Sequence, residues 1–168
     1  AQYQLSRMLE NSRKFEVLEL PEPILKDGLE ERMNFLKKLR ASYLRSVELG
    51  GPWGVAALYQ LGKWIADLAD EIDRIHPPIS YEDDEKIKFR KTLLAFSGPL
   101  RAQAIQIWTD ATKRARSKNI LSLALPKIGN QIVQLNPKIF PLAQGFRGKL
   151  RLIGMMPKKG SSEYNLAM

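Results

Sequence analysis

The chain has 168 residues, is 44% hydrophobic, and carries a net charge of +9 with no cysteine and a single histidine. That length suffices for one domain with a sizeable core. The composition excludes disulfides, thiolate zinc sites, cysteine nucleophiles and any site needing two histidines, and no apolar run reaches the length of a membrane span.

The helical pattern is already under way at Ala1, so the chain reads as a fragment or processed form, and its start does not report on compartment. Residues 1–20 read as a first helix with Leu5, Met8, Leu9, Phe15 and Leu18 as core positions. Pro21-Glu22-Pro23 should end it, because proline lacks the amide that a helix interior needs. Asp27, with Glu30 three residues on, is a capping-box-like start for a long second helix reaching Leu49. Its buried stripe would be Leu29, Met33, Leu36, Leu39, Tyr43 and Val47, at helical spacing.

Gly50-Gly51-Pro52 breaks the chain before a third helix over 53–75. Val55, Leu58, Leu61, Ile65, Leu68, Ile72 and Ile75 share one of its faces. Pro77-Pro78 stops it, and His76, beside that stop, reads as a helix-end residue favoured by the dipole rather than as a base. Ser80 and Asp83 signal the cap of a fourth helix, and the acidic run 82–85 suits its positive end. Gly98-Pro99 should divide that helix from a fifth over 99–117, with proline in the first turn. Asn119 would cap a sixth, running to Leu135. After Phe140 the periodicity fades into a basic stretch punctuated by Gly145, Gly148, Gly154 and Gly160, an irregular tail.

Charge is segregated along the chain. Residues 51–85 hold 2 basic and 8 acidic side chains, residues 86–118 hold 9 and 1, and residues 119–168 hold 7 and 1. Such asymmetry points to an anionic partner such as nucleic acid, an envelope polymer or an acidic protein face, or else to solvated helix faces. The cations of 86–118 are Lys86, Lys88, Arg90, Lys91, Arg101, Lys113, Arg114, Arg116 and Lys118. No helix-turn-helix, RNA-recognition aromatics or zinc finger accompany them. The run Glu82-Asp83-Asp84-Glu85 lacks the loop glycine and alternating ligands of a calcium hand. Neither a phosphate-binding glycine loop nor a nucleophile elbow occurs. The expectation is a non-enzyme with no cofactor and no metal.

One short stretch says more. In "AALYQLGKWI", Gly62 lies inside a strong helix, where glycine costs on the order of 1 kcal/mol against alanine and so calls for a packing reason. Leu58, Leu61, Gly62 and Ile65 form a stripe that resembles the first helix of a tetratricopeptide repeat, where the glycine lets the paired helix approach. In "AIQIWTDA", Ala104, Trp108 and Ala111 resemble the second helix of such a repeat. The order of segments over roughly 40–141 is similar to the C-terminal part of large tetratricopeptide proteins of the deltaproteobacterial cell envelope, of the adventurous gliding motility kind. Two departures stand out: the helix holding Gly62 is longer than a repeat helix, and Arg74 stands where alanine is expected.

The resemblance implies a periplasmic or envelope-located scaffold that binds other proteins and has no catalytic residues. The expected architecture is all-α, with tetratricopeptide-like antiparallel hairpins stacked over 1–141 and the basic glycine-containing tail over 142–168. Lys88, Lys91, Arg101 and Arg114 are the candidate contact residues, with Trp53 and Trp64 as aromatic anchors. A basic helical module that binds nucleic acid or an anionic envelope polymer is the alternative.

Overall fold

A computed structural model of the chain describes residues 2–12 and 15–136. The described residues form five helices and no strand: α1 (Gln2–Asn11), α2 (Glu22–Leu49), α3 (Gly51–Asp73), α4 (Asp83–Ser117) and α5 (Ala124–Leu135). The expected all-α class is therefore observed. The tail over 142–168 lies outside the described residues. Packing follows chain order, α1 on α2, α2 on α3 and α3 on α4, with the α3–α4 pair the most extensive.

The first helix is half as long as its periodicity predicts. It stops at Asn11, where the Ser12 hydroxyl folds back onto the Leu9 carbonyl at 2.8 Å. Residues 15–19 then run without regular structure across α2 and α3. Two contacts favour that course over a helix. The Arg32 guanidinium donates to the Glu16 carbonyl, and Leu18 is buried in a cluster with Leu68, Ile72, Ile75 and Leu93. Leu5 and Met8, expected in the core, are exposed. What α1 lays against α2 is its polar side: buried Ser6 shares a hydrogen bond with Ser42 at 2.7 Å, and Tyr43 donates to Glu10 at 2.6 Å. Desolvation, then the Glu10 carboxylate, pushes the Tyr43 phenol well above the usual tyrosine range.

Pro21-Glu22-Pro23 begins a helix instead of ending one. Pro21 is the N-cap of α2, with Glu22 and Pro23 in the first turn. Amides there have no intrahelical partner, so proline's missing donor costs nothing. Asp27 accordingly lies inside the helix. Of the expected stripe, Leu36, Leu39, Tyr43 and Val47 are buried while Met33 is exposed. Phe35, Arg32 and Ser46 take inward positions that the hydrophobic pattern did not assign.

Gly50 and Gly51 both adopt positive φ, 75° and 63°, at the turn from α2 into α3. Only glycine takes such a pair without strain. Gly54 permits the helices to stay close after that turn, since a Cβ there would lie 3.3 Å from the Ser46 carbonyl oxygen. The apolar face of α3 is buried nearly as its spacing predicts: Val55, Leu61, Ile65, Leu68 and Ile72 are in the core, and Leu58 is half-buried.

The largest departure is α4. Gly98-Pro99 does not divide it, and one helix runs from Asp83 to Ser117 with Pro99 inside. Interior proline costs about 3 kcal/mol, yet the inward stripe continues through it: Leu93, Ser97, Ala104, Trp108, Ala111 and Ala115 are all buried. Two separate helices would forfeit that unbroken seam on α3. Proline's missing donor falls at Ala95, which is exposed, so water can serve that carbonyl. The N-cap is Glu82 rather than Ser80; its amide donates to the Glu85 carboxylate at 2.9 Å.

Asn119 ends α4 instead of starting the next helix. It sits at φ 50°, its amide reaches the Arg116 carbonyl at 3.2 Å, and the Ile120 amide reaches Ala115 at 2.8 Å. That double closure on a left-handed residue is a Schellman motif, which asparagine tolerates better than most. The final helix therefore begins at Ala124, with Ala124, Leu125 and Ile128 buried.

Candidate interaction site

The Leu-Gly stretch and the tryptophan segment meet across the α3–α4 hairpin. A Cβ built on Gly62 would fall 2.3 Å from Nε1 of Trp108 and 2.6 Å from its Cε2. The indole lies flat against bare backbone there, and its Nε1 donates to the Tyr59 carbonyl at 3.1 Å. Absence of a side chain at Gly62 is what opens that carbonyl to an outside donor. Ala104 and Ala111, one turn to each side of Trp108, are fully buried, as are Leu61 and Ile65 opposite. These residues make a buried packing seam between α3 and α4.

The partner-binding candidates divide into two groups. Arg101 pairs with Asp70 at 2.7 Å and with Asp73 at 2.5 Å, and the Asp70 hydrogen bond is the main influence holding its guanidinium above the ordinary value. Arg114 donates to the Val47 carbonyl at 3.0 Å, closing the C-terminal end of α2. Both half-buried arginines thus have partners within the chain, whereas the sequence reading assigned them to an outside partner. Part of the charge segregation is resolved in the same way, with acidic α3 lying beside basic α4. Lys88 and Lys91 are exposed, and their ammonium groups have no hydrogen-bond or ion-pair partner among the described residues.

The tryptophans also differ. Trp64 is half-buried in an aromatic cluster, its ring centroid 5.3 Å from Phe35 and 6.0 Å from Phe15. Trp53 is mostly exposed and stacks on Tyr3 at 5.2 Å. Beside Trp64, a cleft of about 100 Å³ is lined by Arg32, Leu36, Asp67, Leu68 and Glu71. Arg32 is the residue the sequence reading missed. It is buried, bonds Glu71 at 2.7 Å and the Gly28 carbonyl at 3.1 Å, and lies 5.0 Å over the Phe15 ring. Its location on the inward stripe, between Leu29 and Leu36, was the available signal. Three of its five N–H donors are given to Glu71, Gly28 and Glu16.

Among the described residues no group of three or more acidic, histidine or cysteine side chains is placed to hold a metal ion, and no helix is long and apolar enough to cross a membrane. The outward face of α4 combines the two unpaired lysines with exposed Ile87 and Leu94, one turn to either side of Lys91, and with small, exposed Ala95, Gly98 and Ala102. Among the described residues nothing lies within 4 Å of a Cβ placed on Gly98, so packing against them does not require glycine there. Comparison with protein-family models, curated proteins and solved structures gives no match.

Proposed function

We propose that this chain is a non-enzymatic protein-interaction module whose docking face is the outward side of α4. The observation that carries the reading is the pairing of Ile87 and Leu94 with Lys88 and Lys91 on a helix already seated by its opposite stripe. An apolar line at helical spacing, edged by cations, complements an amphipathic helix that carries carboxylates beside its own apolar stripe. The small residues at Ala95, Gly98 and Ala102 let such a helix approach closely. Internal use of Arg101 and Arg114 weakens the nucleic-acid and anionic-polymer alternative, because it removes two of the cations that a phosphate track would employ.

A tetratricopeptide-like hairpin stack in an envelope assembly is the finer form of the proposal. Sequential packing of α1 to α4 supports the stacking of hairpins. The α3–α4 hairpin alone spans Gly51–Ser117, about twice the ~34-residue tetratricopeptide period, so each unit would be an elongated version of the repeat. The test is a photo-crosslinker at Leu94 in the native host, followed by fractionation. The expected result is a discrete protein adduct in the envelope fraction that disappears in Lys88→Glu/Lys91→Glu. No adduct, or one indifferent to charge reversal, overturns the docking face.

A further inference from the structure

Four large apolar side chains stand in solvent at the opposite extreme of the hairpin from the 74–82 connection. Leu49 is 78% exposed, Trp53 60%, Leu121 80% and Leu123 91%. They come from three separate segments: the last turn of α2, the first turn of α3, and the connection after α4. Hydrogen bonds hold these segments together. Ser122 Oγ donates to the Pro52 carbonyl at 3.2 Å, and Arg114 ties the end of α4 to Val47 at 3.0 Å. The double closure at Asn119 fixes the direction in which the connection leaves α4. Leu121 and Leu123 are thereby presented outward on a defined turn.

The charge at this end has one dominant sign. Arg45, Lys113, Arg116 and Lys118 are exposed there, with Glu48 and Asp110 the exposed carboxylates near them.

We infer that this tip, Leu49, Trp53, Leu121 and Leu123 with their surrounding cations, docks onto the surface of an anionic lipid bilayer. Leucines this exposed, one ending α2 and two in the connection after α4, project into solvent, which suits insertion into a soft planar phase. Tryptophan is favoured at the headgroup level, where its ring is apolar and its N–H stays wet. Cations around the insertion meet lipid phosphates, each adding to attraction within a Debye length. Several shallow anchors acting together give reversible binding of the interfacial type. The residues involved are distinct from the Lys88–Leu94 face, so either proposal can fail without the other.

The experiment is co-sedimentation of the whole chain with vesicles of phosphatidylglycerol and phosphatidylcholine, against vesicles of phosphatidylcholine alone. Trp53 emission is followed in parallel, since Trp53 is the most exposed of the three tryptophans, Trp64 being half-buried and Trp108 fully buried. Binding should require phosphatidylglycerol and weaken with salt. Emission should shift to the blue and be quenched by brominated acyl chains, and Trp53→Phe should abolish that shift. Leu121→Ser/Leu123→Ser should weaken partition at least about tenfold, with thermal unfolding unchanged because both positions are exposed. Three outcomes overturn the inference: no binding to either vesicle, binding that the leucine variant retains, or a leucine variant whose only change is loss of self-association in sedimentation velocity.

Discussion

Gly62→Ala is the substitution on which the hairpin geometry makes its sharpest demand. By helix propensity alone it should stabilise α3 by about 1 kcal/mol. The structure reverses that sign. The new methyl would sit 2.3 Å from Trp108 Nε1, and the ring cannot retreat because Trp108 is 0% exposed and enclosed on its other side. Overpacking of this kind costs about 1–3 kcal/mol, and a displaced indole also forfeits its bond to Tyr59, worth about 1 kcal/mol net. After subtracting the propensity gain, the expected loss is about 1–3 kcal/mol, or a melting temperature lower by about 2–12 °C. Gly98→Ala is the matched control, with open space around it, and should gain about 0.5–1 kcal/mol. The assay is urea unfolding of both variants, and of Gly62→Ala in a Trp108→Phe background, where the penalty should fall below about 1 kcal/mol. A Gly62→Ala chain as stable as Gly98→Ala, or a penalty unchanged in the Phe background, refutes the reasoning.

Two further outcomes are expected. Tyr43 holds its proton more tightly when folded than when unfolded, so its contribution is complete below about pH 10, the unfolded tyrosine value, and is lost as pH rises beyond it. Tyr43→Phe should therefore cost about 1 kcal/mol at neutral pH and give a flatter decline in stability above pH ~10 in denaturant titrations. Arg32→Met, which keeps the apolar stem but abandons the Glu16 and Gly28 carbonyls, should cost about 2 kcal/mol. Glu71→Gln should cost less than about 1 kcal/mol, because the Glu71 side chain is 43% exposed; equal losses in the two would show that the ion pair, not the carbonyl contacts, matters.

The features legible in the sequence are those decided within a few residues. The Gly50-Gly51-Pro52 turn, the apolar stripe of α3 and the need for something unusual at Gly62 all follow from spacing and backbone freedom. What was misread depended on distant partners. Residues 15–19 leave the helix because Arg32 and the Leu68–Ile72 cluster offer their backbone and side chains another home. Pro21 and Pro99 carry the same local signal, yet one opens a helix and the other is bridged by a continuous seam on α3. Arg101 and Arg114 look like surface cations until the acidic helix and the Val47 carbonyl are brought beside them. Lys88 and Lys91 are different, since no described side chain is seen to bind their ammonium groups and the fold leaves their reading untested.

The inward seam of α4 recurs at steps of four, seven, four, three and four residues, through small or modest side chains for most of its length. Two rods meeting along such a repeat could slide past each other by a whole heptad and still bury similar areas. Trp108 forbids this, because α3 offers only one bare notch of backbone in its middle, and a shifted indole would strike a side chain instead. Arg101 adds a second pin, since its two carboxylates are three residues apart on α3. Ring and notch therefore act as an alignment mark that selects a single register. The interior glycine, a weakness by propensity, is what makes the hairpin assemble one way.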